Sequence, residues 1–214
     1  FKGTSASAGI GIGKAVIVEE AELVITRNEV ADAEGEIQRF RGALEKTIAA
    51  TQKMADDLAS RVGEKEAEIM QGHMMLLSDP MLTGEIENSV KNDKVNCEFA
   101  IENVCNMYAD MFASMGDELM QQRATDMRDI KVRMQRTLMG LESVDVSLLP
   151  KGSILVAKDL TPSMTAGINP ENVSGIVTEL GGKTSHSAIL ARALEIPAVV
   201  AVNGLMDAVH DGDK

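Results

Sequence analysis

The sequence predicts a small α/β domain interrupted by an all-helical insertion. Three observations carry that reading. Short β-branched runs punctuated by Gly and Pro occur near the two ends of the 214-residue chain. Residues 28–143 show almost no strand character, hold 12 of the 14 Met, and contain a single proline, Pro80. The first β-branched run lies across that segment from the other three. One α/β domain, residues 1–27 with 144–214, therefore encloses a helical subdomain, residues 28–143.

The first predicted strand, Ala15–Val18, follows a Gly-rich turn. In the helical segment, Ile37, Phe40, Leu44, Ile48, Thr51, Met54, Leu58 and Val62 advance in steps of three and four. That spacing aligns them as one stripe of a long helix. Asn28 or Asp32 can cap its start, and Gly63 stands where it stops. Ile69, Met70, His73, Leu76 and Leu77 mark a second helix, ending near Ser78-Asp79-Pro80. Pro80 cannot continue that helix but suits the first turn of the next, a short one with Leu82, Ile86 and Val90. Val95, Phe99, Tyr108, Phe112 and Met115 mark a fourth helix. Met127, Ile130, Met134, Leu138 and Leu141 mark a fifth, with Gly140 near its end. Long helices with short links predict an antiparallel bundle. Strands follow at Ser153–Ala157, Gly175–Thr178 and Pro197–Ala201, with a short helix over Ser185–Leu194.

Composition excludes several functions. Hydrophobic residues make up 44% and charged residues 25%, an ordinary globular balance. No apolar stretch approaches the roughly 20 residues of a membrane helix, so no membrane insertion is expected. The opening residues, Phe1–Ser5, carry no long apolar run of the signal-peptide kind. Acids outnumber bases by 33 to 21, giving a formal charge of −12 with no basic stripe, and Trp is absent. Such a chain is not expected to bind nucleic acid. Two cysteines do not make a disulfide scaffold, and the cytoplasm is the expected compartment. Cys97 and Cys105 fall in one predicted helix, with Cα atoms roughly 12 Å apart at the helical rise. That exceeds disulfide reach, so both are expected as free, buried thiols.

Gly9-Ile10-Gly11-Ile12-Gly13 has the look of a dinucleotide fingerprint. That fingerprint needs a preceding strand and a helix opening at its last glycine. Here a strand follows and little chain precedes, so a turn feeding a strand is the better reading.

The segment Gly181-Gly182-Lys183-Thr184-Ser185-His186-Ser187-Ala188-Ile189-Leu190-Ala191-Arg192 is chemically richer. Glycines let backbone approach a ligand closely. Amides at a helix start attract anions, phosphate above all. Thr184, Ser185 and Ser187 add hydroxyl donors. A neutral imidazole at such a place can accept a phosphoryl group reversibly. Spacing alone leaves two readings open for His186: that nucleophile, or a structural capping residue. Arg192 can neutralise charge or brace the loop, and Lys183 can act through its charge or its backbone.

The same segment, followed by Glu195-Ile196-Pro197-Ala198, closely resembles the phosphohistidine signature of the phosphoenolpyruvate-utilising enzymes. That family includes enzyme I of the sugar phosphotransferase system, pyruvate phosphate dikinase and phosphoenolpyruvate synthase. Further stretches resemble the amino-terminal half of enzyme I: Ser5–Ala15, Glu68–Asp79, Arg123–Ile130 and Asp159–Ser163. The resemblance covers essentially the whole chain. The dikinase domain carries no comparable helical insertion. The fold implied is an α/β phosphohistidine domain of the swivelling β/β/α type, discontinuous in sequence, with an all-α helical-bundle insertion.

The resemblance also implies roles. His186 would take phosphate at Nε2 from phosphoenolpyruvate and pass it to a histidine of the small carrier HPr. Thr165 would hydrogen-bond the resting imidazole, and Arg192 would supply charge or loop support. Gly181, Gly182, Thr184 and Ser185 would form the phosphate loop. The helical subdomain would dock HPr through Lys65, Glu68, Gln71, His73, Met75, Leu76 and Asp79, with Arg123 nearby. Glu64–Asp79 holds four acids and one Lys among Met and Leu, which suits a basic, apolar and transient partner. Met75 and Leu76 are expected to be exposed, and His73 is expected at the interface.

In the family, the phosphoenolpyruvate and Mg²⁺ site and the dimer contact lie in a carboxy-terminal barrel. The stretch to Lys214 is therefore expected to be a fragment with no cofactor or metal of its own and without the last strand of its α/β domain. It is expected to be monomeric and to exchange phosphate only with HPr. Two alternatives remain: a nitrogen-related paralogue or fusion with another HPr-like acceptor, and a non-catalytic docking module.

Overall fold

In the computed structural model, which describes residues 1–214, the first two strands stand at opposite edges of one sheet. They are β1 (Thr4–Ser7) and β2 (Lys14–Ile17). Between them lie β3 (Ser153–Ala157), β4 (Val173–Thr178) and β5 (Ala198–Val200), in the order β1-β5-β4-β3-β2. Strands β2 to β5 run parallel, whereas β1 runs antiparallel to β5 with Thr4 opposite Val200. Strand β1 has no counterpart in the sequence reading. Its Thr-Ser-Ala-Ser composition lacks the large β-branched residues that mark the other four.

The segment from β1 to β2 must cross the amino-terminal ends of three strands, and glycine makes that possible. A Cβ on Gly11 would overlap the Ser174 carbonyl, and one on Gly13 the Gly152 carbonyl. The glycines therefore serve backbone packing, consistent with a turn feeding a strand.

Parallel strands bury both faces, and β3 shows it. Leu155 and Ala157 join one core with Val18, Ile168, Ile176, Ala188 and Ala191. Val156, with Ile154 beside it, joins a second, smaller core with Ala15, Val202 and Leu205. The first face meets α6 (Pro162–Ala166) and α7 (His186–Ala193), and the second carries α8 (Leu205–Ala208).

This α/β unit comprises Phe1–Ala21, Asp57–Ala67 and Val144–Lys214. The second unit, Glu22–Asp56 with Glu68–Ser143, is helical. The helices are α1 (Ala33–Arg61), α2 (Glu64–Leu77), α3 (Pro80–Asp93), α4 (Cys97–Ser114) and α5 (Glu118–Met139). Residues 57–67, where α1 ends and α2 begins, thus pack with the α/β unit, a division the sequence did not suggest. Arg61 explains it, because its guanidinium donates to the Ile168 and Ala166 carbonyls.

Local signals set the helix ends. Asp32 Oδ1 accepts from Gly35 N at 3.0 Å at the start of α1. Asn28 instead exchanges backbone and side-chain bonds with Asn96. Asp79 caps α3 by accepting from Met81 N, and Pro80 fills the first helical position. Helix α3 runs 14 residues, as long as α2 and not the short helix expected. Gly140 closes α5 with φ +66°.

The core of the helical unit gathers Phe40, Leu77, Ile86, Ile101, Met127, Ile130 and Met134. Both cysteines are free and buried, as expected. Thr51 is buried in the α1 stripe, as its spacing predicts, and its Oγ1 accepts from Arg133 Nη2 at 2.7 Å, whereas Thr47, buried one turn earlier, was outside the expected stripe. Each threonine also donates back to the carbonyl one turn earlier.

Candidate active site

Strand β4 ends at Thr178, and the chain then turns through residues 179–185 into α7. This is the carboxyl end of a parallel strand, where open α/β sheets place their ligands. Thr178 is buried and its hydroxyl donates to Leu180 O at 2.6 Å, which folds the chain back on itself. Gly181 then adopts φ +98°, a conformation that side chains strongly resist.

Ser185 is the amino cap of α7. Its Oγ accepts from Ala188 N at 3.3 Å and donates to Gly182 O at 2.8 Å. Ser187 Oγ stands 2.9 Å from the same hydroxyl. Gly181, Gly182, Lys183 and Thr184 are exposed. His186 is the first residue of α7 and half-buried. Its imidazole thus belongs to a helix start, where the partial positive charge of unpaired amides favours anions.

Arg192, almost two turns further along, reaches back. Its Nη1 donates to Lys183 O at 3.0 Å and to Ala6 O at 2.9 Å. The guanidinium therefore ties the loop to β1. Helix α6 packs with α7 and carries Thr165, which is fully buried. The Thr165 hydroxyl proton goes to Thr161 O at 2.8 Å. What that oxygen still offers a neighbour is lone pairs only.

Asp159, which the sequence does not mark as a site residue, also stands near the loop. Its carboxylate approaches the place where a Gly181 side chain would begin, and its Oδ1 accepts from Leu160 N at 2.8 Å. Burial raises its pKa above the usual carboxyl range, with the Leu160 amide opposing. In the sequence it is marked only by its place in the stretch Asp159–Ser163.

Residues expected to meet a partner divide by exposure. Lys65, Glu68, Gln71 and Met75 are exposed on α2, Met75 at 70%. Asp79 and Arg123 are half-buried. Leu76 departs from expectation, because it is partly buried against the helical core beside Leu77. His73 departs further. It is fully buried, so it makes no surface contact of its own. The α2 periodicity explains this: Met70, His73 and Leu77 form the inward-facing stripe.

His73 Nε2 pairs with Asp126 Oδ1 at 3.1 Å. Asp126, another residue that sequence reasoning missed, is nearly buried on α5, and Arg123 Nη1 lies 3.8 Å from its second oxygen. Elsewhere in the helical unit, Glu36, Cys97 and Glu98 converge, but the Arg39 guanidinium pairs with both carboxylates. That neutralisation leaves a poor cation site.

Comparison with known proteins accords with this geometry. A family described as PEP-utilising enzyme, N-terminal, matches residues 2–123, and one described as PEP-utilising enzyme, mobile domain, matches residues 149–214. The chain belongs to the PEP-utilising enzymes. Among these it is similar to the phosphoenolpyruvate-protein phosphotransferase of Bacillus subtilis, 40% identical over 99% of this chain. The Listeria monocytogenes phosphotransferase is 42% identical over 100% of it. The chain spans about 37% of the length of both relatives. A solution structure of an enzyme I protein aligns with TM-score 0.85 and 39% identity, over 99% of this chain and 86% of that one. The N-terminal domain of a nitrogen enzyme I aligns with TM-score 0.64 and 27% identity, over 92% and 82%. The chain corresponds to the amino-terminal part of a PEP-utilising enzyme I. No helix in it is long and apolar enough to cross a membrane.

Proposed function

We propose that this chain is the phosphorelay half of an enzyme I, with His186 as its reversibly phosphorylated nucleophile. One observation carries the reading. A half-buried histidine opens α7 at the carboxyl end of a parallel strand, behind a loop that needs glycine at position 181.

The chemistry follows from the atoms. The Thr165 hydroxyl donates to Thr161 O and can only accept from an imidazole. An N–H at Nδ1 of His186 facing it leaves the lone pair on Nε2, which then attacks phosphorus. The bond from phosphorus to the carrier imidazole breaks as the bond to Nε2 forms, and the reverse step returns the group. The helix start and the Thr184 hydroxyl favour the resulting dianion, and Ser185, whose proton goes to Gly182 O, holds the loop in shape.

The carrier is HPr, docked on the helical unit through Lys65, Glu68, Gln71, Met75 and Asp79, with Arg123 beside them. Exposed acids around Met75 suit a partner with a basic and apolar face. The phosphoenolpyruvate and Mg²⁺ site belongs to the part of the relatives this chain does not span. The isolated chain acts as a cytoplasmic monomer without a cofactor.

Intact mass spectrometry tests this on the wild-type chain and on His186→Ala. Each is mixed with phospho-HPr, and separately with phosphoenolpyruvate and Mg²⁺. The expected result is one acid-labile phosphoryl group, gained from phospho-HPr only and absent in the variant. Failure to gain it despite binding of HPr would reduce the chain to a docking module. Its likeness to the nitrogen enzyme I makes a second carrier the next acceptor to try.

A further inference from the structure

The sequence contains a glycine in the middle of a helix for which neither capping nor a turn accounts. Gly72 lies within α2, where glycine weakens a helix relative to alanine. Its place is taken by another residue. A Cβ on Gly72 would stand 2.6 Å from Arg123 Nη1. The same nitrogen lies 3.8 Å from Asp126 Oδ2. One end of the Arg123 guanidinium therefore points into the space a side chain at position 72 would fill, with the same nitrogen close to a carboxylate.

That carboxylate is itself fixed. Asp126 is nearly buried, and its other oxygen takes a bond from His73 Nε2 at 3.1 Å. The other ring nitrogen, His73 Nδ1, is buried without a partner. An unpaired buried nitrogen costs stability. So two adjacent residues, Gly72 and His73, each weaken the fold locally, and both choices converge on one guanidinium. Arg123 keeps 29% of its side chain exposed, so it faces outward from this seat.

We propose that Gly72, His73 and Asp126 are positioning residues that seat Arg123 for the phosphoryl group of the docked carrier. This rests on the function proposed above. An arginine held in advance loses little freedom when it meets the transferring oxygens. It pairs with the negative charge those oxygens carry on the docked carrier.

The test is a double-mutant cycle in phosphoryl exchange between the 214-residue chain and phospho-HPr. Gly72→Ala and His73→Leu are each expected to lower kcat/KM on the order of ten-fold or more. His73→Gln, which restores a donor toward Asp126, is expected to recover part of the loss. Gly72→Ala should melt at the same or a higher temperature than wild type, which separates the effect from damage to the fold. In an Arg123→Ala background neither substitution should lower transfer further. Unchanged transfer in both single variants overturns the proposal, as does a full additional loss in the Arg123→Ala background.

A second readout needs no partner. The Nε–H order parameter of Arg123, measured by NMR, should fall in both variants, and an unchanged value also overturns the proposal. If the wild-type chain takes up no phosphate, the functional reading fails on its own, and the arginine order still decides the seating.

Discussion

Arg61 Nη1 donates to the Ile168 carbonyl at 2.6 Å, and Nη2 to the Ala166 carbonyl at 2.7 Å. Both acceptors lie at the end of α6, next to Thr165. A charged donor thus closes a helix terminus that would otherwise expose carbonyls. Arg61→Met keeps the side chain's length but removes both bonds. We expect a loss of about 1.5–3 kcal/mol, the usual worth of a charge-assisted bond. Urea unfolding followed at α6 amides checks it, and an unchanged midpoint would refute the role.

Arg192 braces the loop that leads into α7. Its Nη1 is committed to Lys183 O and Ala6 O. Arg192→Met should therefore loosen residues 181–185 more than it changes charge. We expect faster amide exchange at Lys183 and Thr184, and a fall in phosphoryl uptake by His186 of roughly ten-fold. A drop in uptake without a change in amide exchange would favour a charge role instead.

Asp159 makes stability depend on pH. Burial raises its pKa in the folded chain, so the folded state favours the protonated form. That contribution is fully present below the ordinary carboxyl value of about 4 and is lost as pH rises through the raised one. At pH 7 the buried carboxylate is a cost that Asp159→Asn removes. The variant should melt higher than wild type at pH 7, with the gain shrinking toward pH 4. Melting curves at the two pH values decide, and a gain that grew in acid would contradict the sign.

The two thiols should resist modification. Burial pushes Cys105 up to about 12, and Cys97 is raised by burial and by its Glu36 and Glu98 neighbours. Little thiolate exists at pH 8. A disulfide reagent such as Ellman's should react slowly with the native chain and release both thiols promptly in denaturant. Fast native reaction at either cysteine would show that its helix opens readily.

Much of this architecture was legible in the residues. Five helices follow from apolar spacing, and Asp79-Pro80, Gly63 and Gly140 mark boundaries that the structure keeps. Four of the five strands announce themselves by Val, Ile and Leu. Strand β1 did not, because Thr4–Ser7 owes its place to an edge pairing with distant β5. The His186 motif gave its position on α7, since Ser185 is a strong amino cap. Burial of His73 was legible in hindsight, since it shares a stripe with Met70 and Leu77. Its partner Asp126 was not, because nothing local distinguishes a buried acid from a solvated one. Gly72 was equally silent, since its neighbour comes from another helix.

The edge pairing of β1 has a consequence for how the chain is made. Thr4 meets Val200, and Lys14 meets Ser153. Synthesis proceeds at about 5–20 residues per second, so the first two strands emerge long before any partner exists. Helices of the intervening segment can pair with near neighbours during that interval, whereas the sheet depends on contacts of high sequence separation. The amino-terminal strands must therefore stay unpaired for many seconds on the ribosome. In β1 the small and polar residues Thr4, Ser5 and Ser7 make that wait safer, because an orphaned strand of large apolar residues invites aggregation.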